Sequence, residues 1–238
     1  MTVALLCGLV GAALGFFLVR PAYRLSVPED GGMRADCENC GAPVAWLGLS
    51  RCDSCGHRLG PPWWLLVVVS AVVCAGIGWR FGLAWELVPY LLLGLVGVLL
   101  GAVDLACLRL PDVLVIPGFV VGAVLLAAVA LTGDAWSSLL RAGIAAALLS
   151  GGYLILAVLP GAQLGLGDVK LAGVLGLFLG WLGWREVLIG AMLPFLLNGV
   201  VALALLLMRR VDRKTLVPFG PAMLVGTWLA IIALPQLR

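Results

Sequence analysis

Long apolar runs recur along this sequence, and they restrict its fold more than any other feature. A bilayer-spanning helix needs about 17 to 25 apolar residues. Runs of roughly this length lie near 2–19, 63–79, 87–108, 113–131, 137–159, 169–184, 187–208 and 217–234. A chain that is 63% hydrophobic and 11% charged cannot hide this surface in one soluble core. The sequence therefore predicts an all-α polytopic membrane protein with about eight transmembrane helices.

The charges between these runs predict an orientation. Residues 1–19 lack a basic region before the apolar run and a small-residue cleavage site after it, so we interpret them as a retained anchor and not as a signal peptide. One set of connections, at 20–62, 109–112, 160–168 and 209–216, holds eleven Lys and Arg when Lys170, two residues past the third of them, is counted, against four in the other set and the C-terminus. The positive-inside rule makes the first set cytoplasmic and places both termini outside. The net charge of +3 thus reflects orientation and predicts no nucleic-acid partner.

Only one connection is long enough to fold by itself. Residues 20–62 are predicted to form a cytoplasmic loop, and residues 63–238 a bundle of seven helices with short connections. No internal repeat is evident. The sequence leaves homo-oligomerisation open.

The loop carries two copies of a CxxCG pattern, CENCG and CDSCG, with the cysteines Cys37, Cys40, Cys52 and Cys55. Two such turns can surround one tetrahedral zinc, and the glycine after each pair permits a tight turn. The alternative of disulfides or redox thiols is disfavoured in the cytoplasm. His57 could compete as a ligand, but four thiolates already complete the set. We expect structural zinc, because a loop of this size lacks an adequate apolar core.

Three acidic residues lie at the edges of the predicted spans: Asp104, Asp112 and Asp168. Ionisable groups at membrane depth are costly, so each is a candidate functional residue. Asp104 lies shortly before the end of the third predicted span, 87–108. Asp168, in GLGDVKLAG, lies where the sixth span, 169–184, begins. Both are predicted at the cytoplasmic side.

Glycines at steps of three and four residues accompany both aspartates. One stripe leads to Asp104 through Gly94, Gly97 and Gly101, and another follows Asp168 at Gly173, Gly176, Gly180 and Gly183. Small residues on one face let transmembrane helices approach closely. We therefore expect the two glycine faces to pack together and to bring Asp104 near Asp168. The first span has similar spacing at Gly8, Gly11 and Gly15, so the pattern is not unique to this pair.

The residues around Asp168 suggest how it is used. Gly165 and Gly167 permit backbone angles that other residues resist, and Asp168 is suited to N-capping the helix that follows. Two nearby carboxylates in unequal environments can share a proton, one activating water while the other protonates the carbonyl or leaving amine. This is aspartic-protease chemistry. Lys170 would favour ionisation nearby or, as we prefer, extend to the cytoplasmic interface.

Several segments together resemble the type IV prepilin peptidases, a family of GxGD intramembrane aspartyl proteases. The matching segments are DLACLRLPD (104–112), GLGDVKLAG (165–173) with GGYLILAVLP just before it, VPFGPAMLVG (217–226) and, weakly, GAALGFFLVRPAYRL (11–25). The resemblance implies that Asp104 and Asp168 are the catalytic pair, with Asp112, Gly165, Gly167 and Lys170 as supporting residues. It also implies a bacterial inner-membrane enzyme that removes the leader of prepilins or pseudopilins at the cytoplasmic membrane border.

Many members of this family then methylate the new N-terminus with S-adenosylmethionine. Here the segment between the two CxxC pairs is only GAPVAWLGLSR, and HRLGPPWW follows the second pair. Bifunctional relatives usually carry a longer segment and an RYPxxE-like sequence. The resemblance therefore implies a peptidase and leaves methyl transfer, with its cofactor, open.

Two other classes of function compete with the peptidase. Paired membrane acids also relay protons in transporters, although here they lie near one face and the two halves of the chain show no repeat. A noncatalytic membrane scaffold that binds a partner through its zinc knuckle is the other alternative.

Overall fold

A computed structural model of the chain describes residues 1–27, 33–159, 164–208 and 218–233. Within these ranges the secondary structure is helical apart from two isolated β-bridges, which confirms the predicted all-α class. The helices are α1 (Thr2–Phe17), α2 (Val19–Leu25), α3 (Trp63–Phe81), α4 (Leu87–Cys107), α5 (Asp112–Gly133), α6 (Trp136–Val158), α7 (Leu166–Leu182), α8 (Trp184–Leu207) and α9 (Gly220–Ala233).

Each of the eight predicted spans coincides with a helix, but the helices differ in length. Five of them, α3, α4, α5, α6 and α8, are long and apolar enough to cross a membrane, and α1 with α2 would make a sixth span bent by 47°. The other two, α7 and α9, have 17 and 14 residues. The membrane-spanning character is confirmed, whereas the count of eight stays a prediction. The predicted loop 209–216, with its four cationic residues, lies outside the described residues.

The chain divides into two compact units, Met1–Pro111 and Asp112–Arg238. In the first unit, α1 packs along α3 through small residues. A Cβ atom added at Gly11 would lie 2.5 Å from the carbonyl oxygen of Ser70, and one added at Gly15 would lie 2.7 Å from that of Leu66. The two backbones approach this closely only because the α1 face lacks side chains.

The segment predicted as a loop at 20–62 begins with a helix. In α2, Val19, Ala22 and Tyr23 are buried, and the axis turns by 47° from that of α1. Tyr23 belongs to a small apolar cluster with Cys37, Val44 and other loop residues. The helix therefore forms the platform on which the cysteine loop folds, a role that the apolar pattern alone did not reveal.

In the second unit, α7 is the central helix and contacts α5, α6, α8 and α9. Every residue from Leu171 to Trp181 is buried. A helix that is apolar on all sides is expected to be enclosed by other helices. The burial of α7 on all sides agrees with its central place in this unit.

The glycine face of α7 packs against α6. A Cβ atom at Gly176 would lie 2.7 Å from the carbonyl oxygen of Ala145, and one at Gly180 would lie 2.9 Å from that of Arg141. In the first unit, Gly94 of α4 faces Val73 and Ile77 of α3. These glycines thus serve contacts with helices nearer in sequence, and the pairing of the two glycine faces stays a prediction.

This packing predicts the effect of adding a single methyl group. Gly176→Ala is expected to lower the free energy of unfolding by about 1–3 kcal/mol, because the new Cβ overlaps helix backbone that cannot move aside easily. Gly143→Ala is the matched control, since Gly143 lies in α6 with nothing within 4 Å of an added Cβ. Unfolding in mixed detergent micelles measures both variants. Equal stability of the two would contradict the close α6–α7 contact.

Candidate functional site

Asp104 is held near the end of α4. Its side chain is only 4% exposed, and the helix ends three residues later at Cys107. Leu108 then adopts a left-handed conformation with φ of 54°, and its N–H donates to the Asp104 carbonyl at 2.8 Å. A left-handed residue closing the last turn is a common way to end a helix. This cap terminates α4.

Asp168 lies in the first turn of α7. The helix begins at Leu166, three residues before the predicted start, and Gly165 is its N-cap. Asp168 is therefore the third helical residue and not the N-cap, which corrects the prediction. Its carboxylate accepts a hydrogen bond from the Gly165 N–H at 3.1 Å. This bond satisfies one of the free donors at the helix start and fixes the side chain, which is 9% exposed.

The expected backbone role of the two glycines is not found. Gly165 has φ of −80° and ψ of 154°, an extended conformation open to any residue. Gly167 lies within α7 and is not among the glycines with positive φ. The prediction that both supply unusual backbone angles is wrong, because the helix starts earlier than expected and includes Gly167.

Lys170 forms an ion pair with Asp112. Its Nζ donates to both carboxylate oxygens at 2.7 Å, and the two side chains are 44% and 55% exposed. An exposed pair of this kind contributes little stability. Its effect is geometric, because it joins the first residue of α5 to the fifth residue of α7, two residues from Asp168. This contact supports a structural role for Asp112.

A group of three aromatic residues in the second unit was not assigned a role from the sequence. Tyr153 of α6 is buried and lies close enough to Asp168 to interact with it electrostatically. Its ring centroid lies 5.6 Å from that of Phe195 and 6.1 Å from that of Phe219. Tyr153 and Phe219 fall in GGYLILAVLP and VPFGP, so their association with the motifs was the only available signal.

The two cysteine turns have the same internal geometry. The Cys37 N–H donates to the Ala42 carbonyl and the Gly41 N–H to the Cys37 carbonyl, both at 2.9 Å. Equivalent bonds recur 15 positions later, where the Gly56 N–H donates to the Cys52 carbonyl at 3.0 Å. Both glycines have positive φ, 68° and 70°, as predicted for a metal knuckle. The two copies of the CxxCG pattern therefore fold in the same way.

The four sulfur atoms are arranged for a tetrahedral metal. The Sγ atoms of Cys37 and Cys55 lie 3.8 Å apart, those of Cys40 and Cys52 lie 3.7 Å apart, and all four are within 4.8 Å of one another. Thiolates bound at about 2.3 Å to a tetrahedral zinc lie about 3.8 Å from each other. The donor set and its spacing therefore fit zinc. His57 is not part of this cluster.

Local hydrogen bonds favour the thiolate, the form that binds metal, at two of the four cysteines. Hydrogen bonds from the His57 backbone and the Asn39 side chain lower the pKa of Cys55 to about 6. The backbone N–H groups of Cys55 and Ser54 lower the pKa of Cys52. The Cys55 thiol can thus lose its proton near neutral pH.

Arg20 organises the segment between the two knuckles. Its guanidinium group, only 2% exposed, donates to the carbonyls of Leu47, Leu49 and Arg51 at 2.8–3.2 Å. It also forms two hydrogen bonds with the Asp53 carboxylate, at 2.8 and 2.9 Å. In the sequence Arg20 is only one cation among many at a membrane border. Its position next to the first span offered no further signal.

Known proteins resemble the chain over most of its length. A model described as the type IV leader peptidase family matches residues 87–208, a range that includes both Asp104 and Asp168. The prepilin leader peptidase/N-methyltransferase of Aeromonas hydrophila is 29% identical over 232 residues, which cover 89% of this chain and 74% of that protein. Proteins with the same name from Pseudomonas aeruginosa and Bacillus subtilis are 27% and 28% identical and cover 88% and 76% of the chain. No solved structure matches.

Proposed function

The chain belongs to the type IV leader peptidase family, and we propose that it is a membrane-embedded aspartic endopeptidase that removes the leader peptide of type IV prepilins or pseudopilins. The observation that carries this proposal is the family match over 87–208. The matched range includes two buried aspartates, each at one end of an apolar helix. An aspartic protease needs two acidic side chains, and the matched range supplies two that are buried.

In the proposed reaction Asp104 and Asp168 share one proton. The ionised carboxylate takes a proton from the attacking water, and the protonated one donates to the carbonyl oxygen of the scissile bond. The proton then passes to the leaving amine as the C–N bond breaks. Asp168 lies in the first turn of α7, where the positive end of the helix dipole favours the ionised carboxylate. We therefore assign the role of base to Asp168 and that of acid to Asp104.

The proposed site lies at the cytoplasmic border of the bacterial inner membrane, with both chain termini outside. The excess of Lys and Arg in the connections next to Asp104 and Asp168 supports this orientation. A leader that is polar and a pilin segment that is apolar would meet at this border. The Lys170–Asp112 pair supports the site by fixing the start of α7.

We assign the four-cysteine cluster to one structural zinc. The residues that would hold it are Cys37, Cys40, Cys52 and Cys55. Bound zinc supplies cross-linking of the two knuckles and no part of the cleavage reaction. The cluster sits on Tyr23 of α2, so the metal would also fix the loop to the end of the first span.

N-methylation is the second candidate activity. The relatives from Aeromonas, Pseudomonas and Bacillus are all named prepilin leader peptidase/N-methyltransferase. If this chain shares the second activity, S-adenosylmethionine is its methyl donor and the released N-terminus its acceptor. The short segment between the knuckles bears on methyl transfer and not on leader removal, so the two activities are tested separately.

One assay tests the three classes of function. Purified protein in detergent is incubated with a prepilin and S-adenosylmethionine, and mass spectrometry follows loss of the leader and gain of a methyl group. We expect leader removal. Absence of cleavage with proton flux in proteoliposomes would point instead to a transporter, and absence of both would point to a scaffold. Cleavage without methylation would restrict the chain to the peptidase activity.

A further inference from the structure

An exposed apolar surface lies between the two knuckles. Trp46, Leu47 and Leu49, here called the Trp46 face, are 43%, 66% and 63% exposed. They follow Val44, which is buried in the cluster around Tyr23. Three large apolar side chains at one place in a polar loop indicate a surface that another molecule covers.

The backbone behind this face is held rigidly. Arg20 binds the carbonyls of Leu47 and Leu49, so the polar groups of this segment are satisfied from within the protein. Gly48 lies against the Arg20 guanidinium, where an added Cβ would overlap it. The side chains of the Trp46 face are therefore exposed, while the carbonyls of Leu47 and Leu49 behind them are hydrogen-bonded.

The loop is also confined close to the bilayer. It leaves the first span through α2, whose seven residues extend about 10 Å, and an added Cβ at Gly60 would lie 3.3 Å from the Val19 carbonyl at the base of α2. The polar layer of a membrane is about 5–8 Å thick on each side. Where the loop leads into the next span, Trp63 and Trp64 begin α3 and have exposed rings. Exposed tryptophans are common at a membrane interface.

Charges beside the face favour an anionic surface. Arg51 and Arg58 pair across an antiparallel bridge and are both exposed. Like charges opposite each other in such a pair are unfavourable unless an anion lies between them. The Arg24 guanidinium lies 4.4 Å from the centre of the Trp46 ring, which adds a third cation next to the apolar surface. Lipid phosphates supply the complementary charge.

We propose that the Trp46 face inserts into the membrane interface on its own side of the bilayer, with Arg51 and Arg58 binding the phosphates of anionic lipids. An aromatic and two leucines provide the apolar part, and the cations provide the attraction to headgroups, as in interfacial membrane anchors. The knuckle is then attached to the membrane at the face as well as through its two flanking helices. This inference does not depend on peptidase activity.

Fluorescence quenching in nanodiscs tests the proposal with full-length protein containing zinc. The discs hold phosphatidylcholine brominated at shallow acyl positions, with or without phosphatidylglycerol. The difference between the wild type and Trp46→Phe isolates the emission of Trp46. We expect about a twofold loss of this emission in brominated discs, because interfacial side chains reach about 5–10 Å into the boundary. The loss should be larger when phosphatidylglycerol is present.

Two variants separate the apolar and cationic parts. Leu47→Ser with Leu49→Ser should weaken quenching of Trp46 in both lipids, and Arg51→Gln with Arg58→Gln should remove only the dependence on phosphatidylglycerol. Zinc content serves as the folding check for each. Quenching of Trp46 by aqueous acrylamide in place of brominated lipid would overturn the proposal. Protection from both quenchers would also overturn it and would indicate a protein partner or a second copy.

Discussion

Asp104→Asn and Asp168→Asn are each expected to lower kcat/KM for prepilin cleavage by about a hundredfold to ten-thousandfold, the range that one general acid or base contributes. Asparagine preserves the shape of each side chain but can neither accept the proton of water nor donate an acidic one. Because the two carboxylates share one proton in the proposed reaction, the double variant should be no slower than the more damaging single variant. Single-turnover cleavage of a prepilin measures all three rates.

Asp134→Asn provides the matched control for this pair. Asp134 lies in the turn between α5 and α6, is exposed and has φ of 49°, a conformation that asparagine adopts readily. The same substitution should therefore leave both folding and cleavage unchanged at this site. Cleavage that persists in both catalytic variants would remove the aspartic-protease mechanism. A loss of activity in Asp134→Asn would show that the assay reports stability and not chemistry.

Loss of zinc is expected to unfold the cysteine loop. Purified protein should contain about one zinc per chain, and Cys37→Ser combined with Cys52→Ser should contain none. The effect is large because the apparent binding free energy of a structural zinc is about 10–16 kcal/mol, and the loop's own apolar cluster contains only a few residues. Limited proteolysis should then cut the loop at Arg51 or Arg58 far faster than in the wild type.

Cys107→Ser is the control for the metal. Cys107 lies in α4, outside the four-sulfur cluster, and its Sγ donates to the Val103 carbonyl, a bond that serine can also make. This variant should retain zinc and resist proteolysis of the loop. Freshly purified wild type without metal, or a double variant with a protected loop, would contradict the assignment.

Local chemistry made the knuckles and the helix positions readable from sequence. Each CxxCG turn is built within a few residues, and the positive φ of Gly41 and Gly56 follows from a requirement that only a few residue types satisfy. The helices follow equally directly, because long apolar segments in a bilayer must satisfy their own backbone hydrogen bonds. Asp104 and Asp168 stood out because acidic residues beside such segments are costly.

The spacing of small residues left the choice among neighbouring helices open. The glycine stripes correctly indicated close helix contacts, but Gly176 faces α6 and Gly94 faces α3. Any small-residue face can receive any suitable helix, so spacing alone does not select the partner. The start of α7 was misplaced, because its first turn is capped by the carboxylate of Asp168 from within the helix.

By itself the sequence determined the all-α class, the four cysteines that are candidate metal ligands, the candidate aspartates and the family. The tertiary structure decided that Arg20 supports the loop from behind, that Tyr23 carries the knuckles, and that Lys170 pairs with Asp112. The physical reason is the range of the interactions. Turn geometry and hydrophobic length act over neighbouring residues, whereas a buried guanidinium or an ion pair joins positions 29 and 58 residues apart, which only the folded chain brings together.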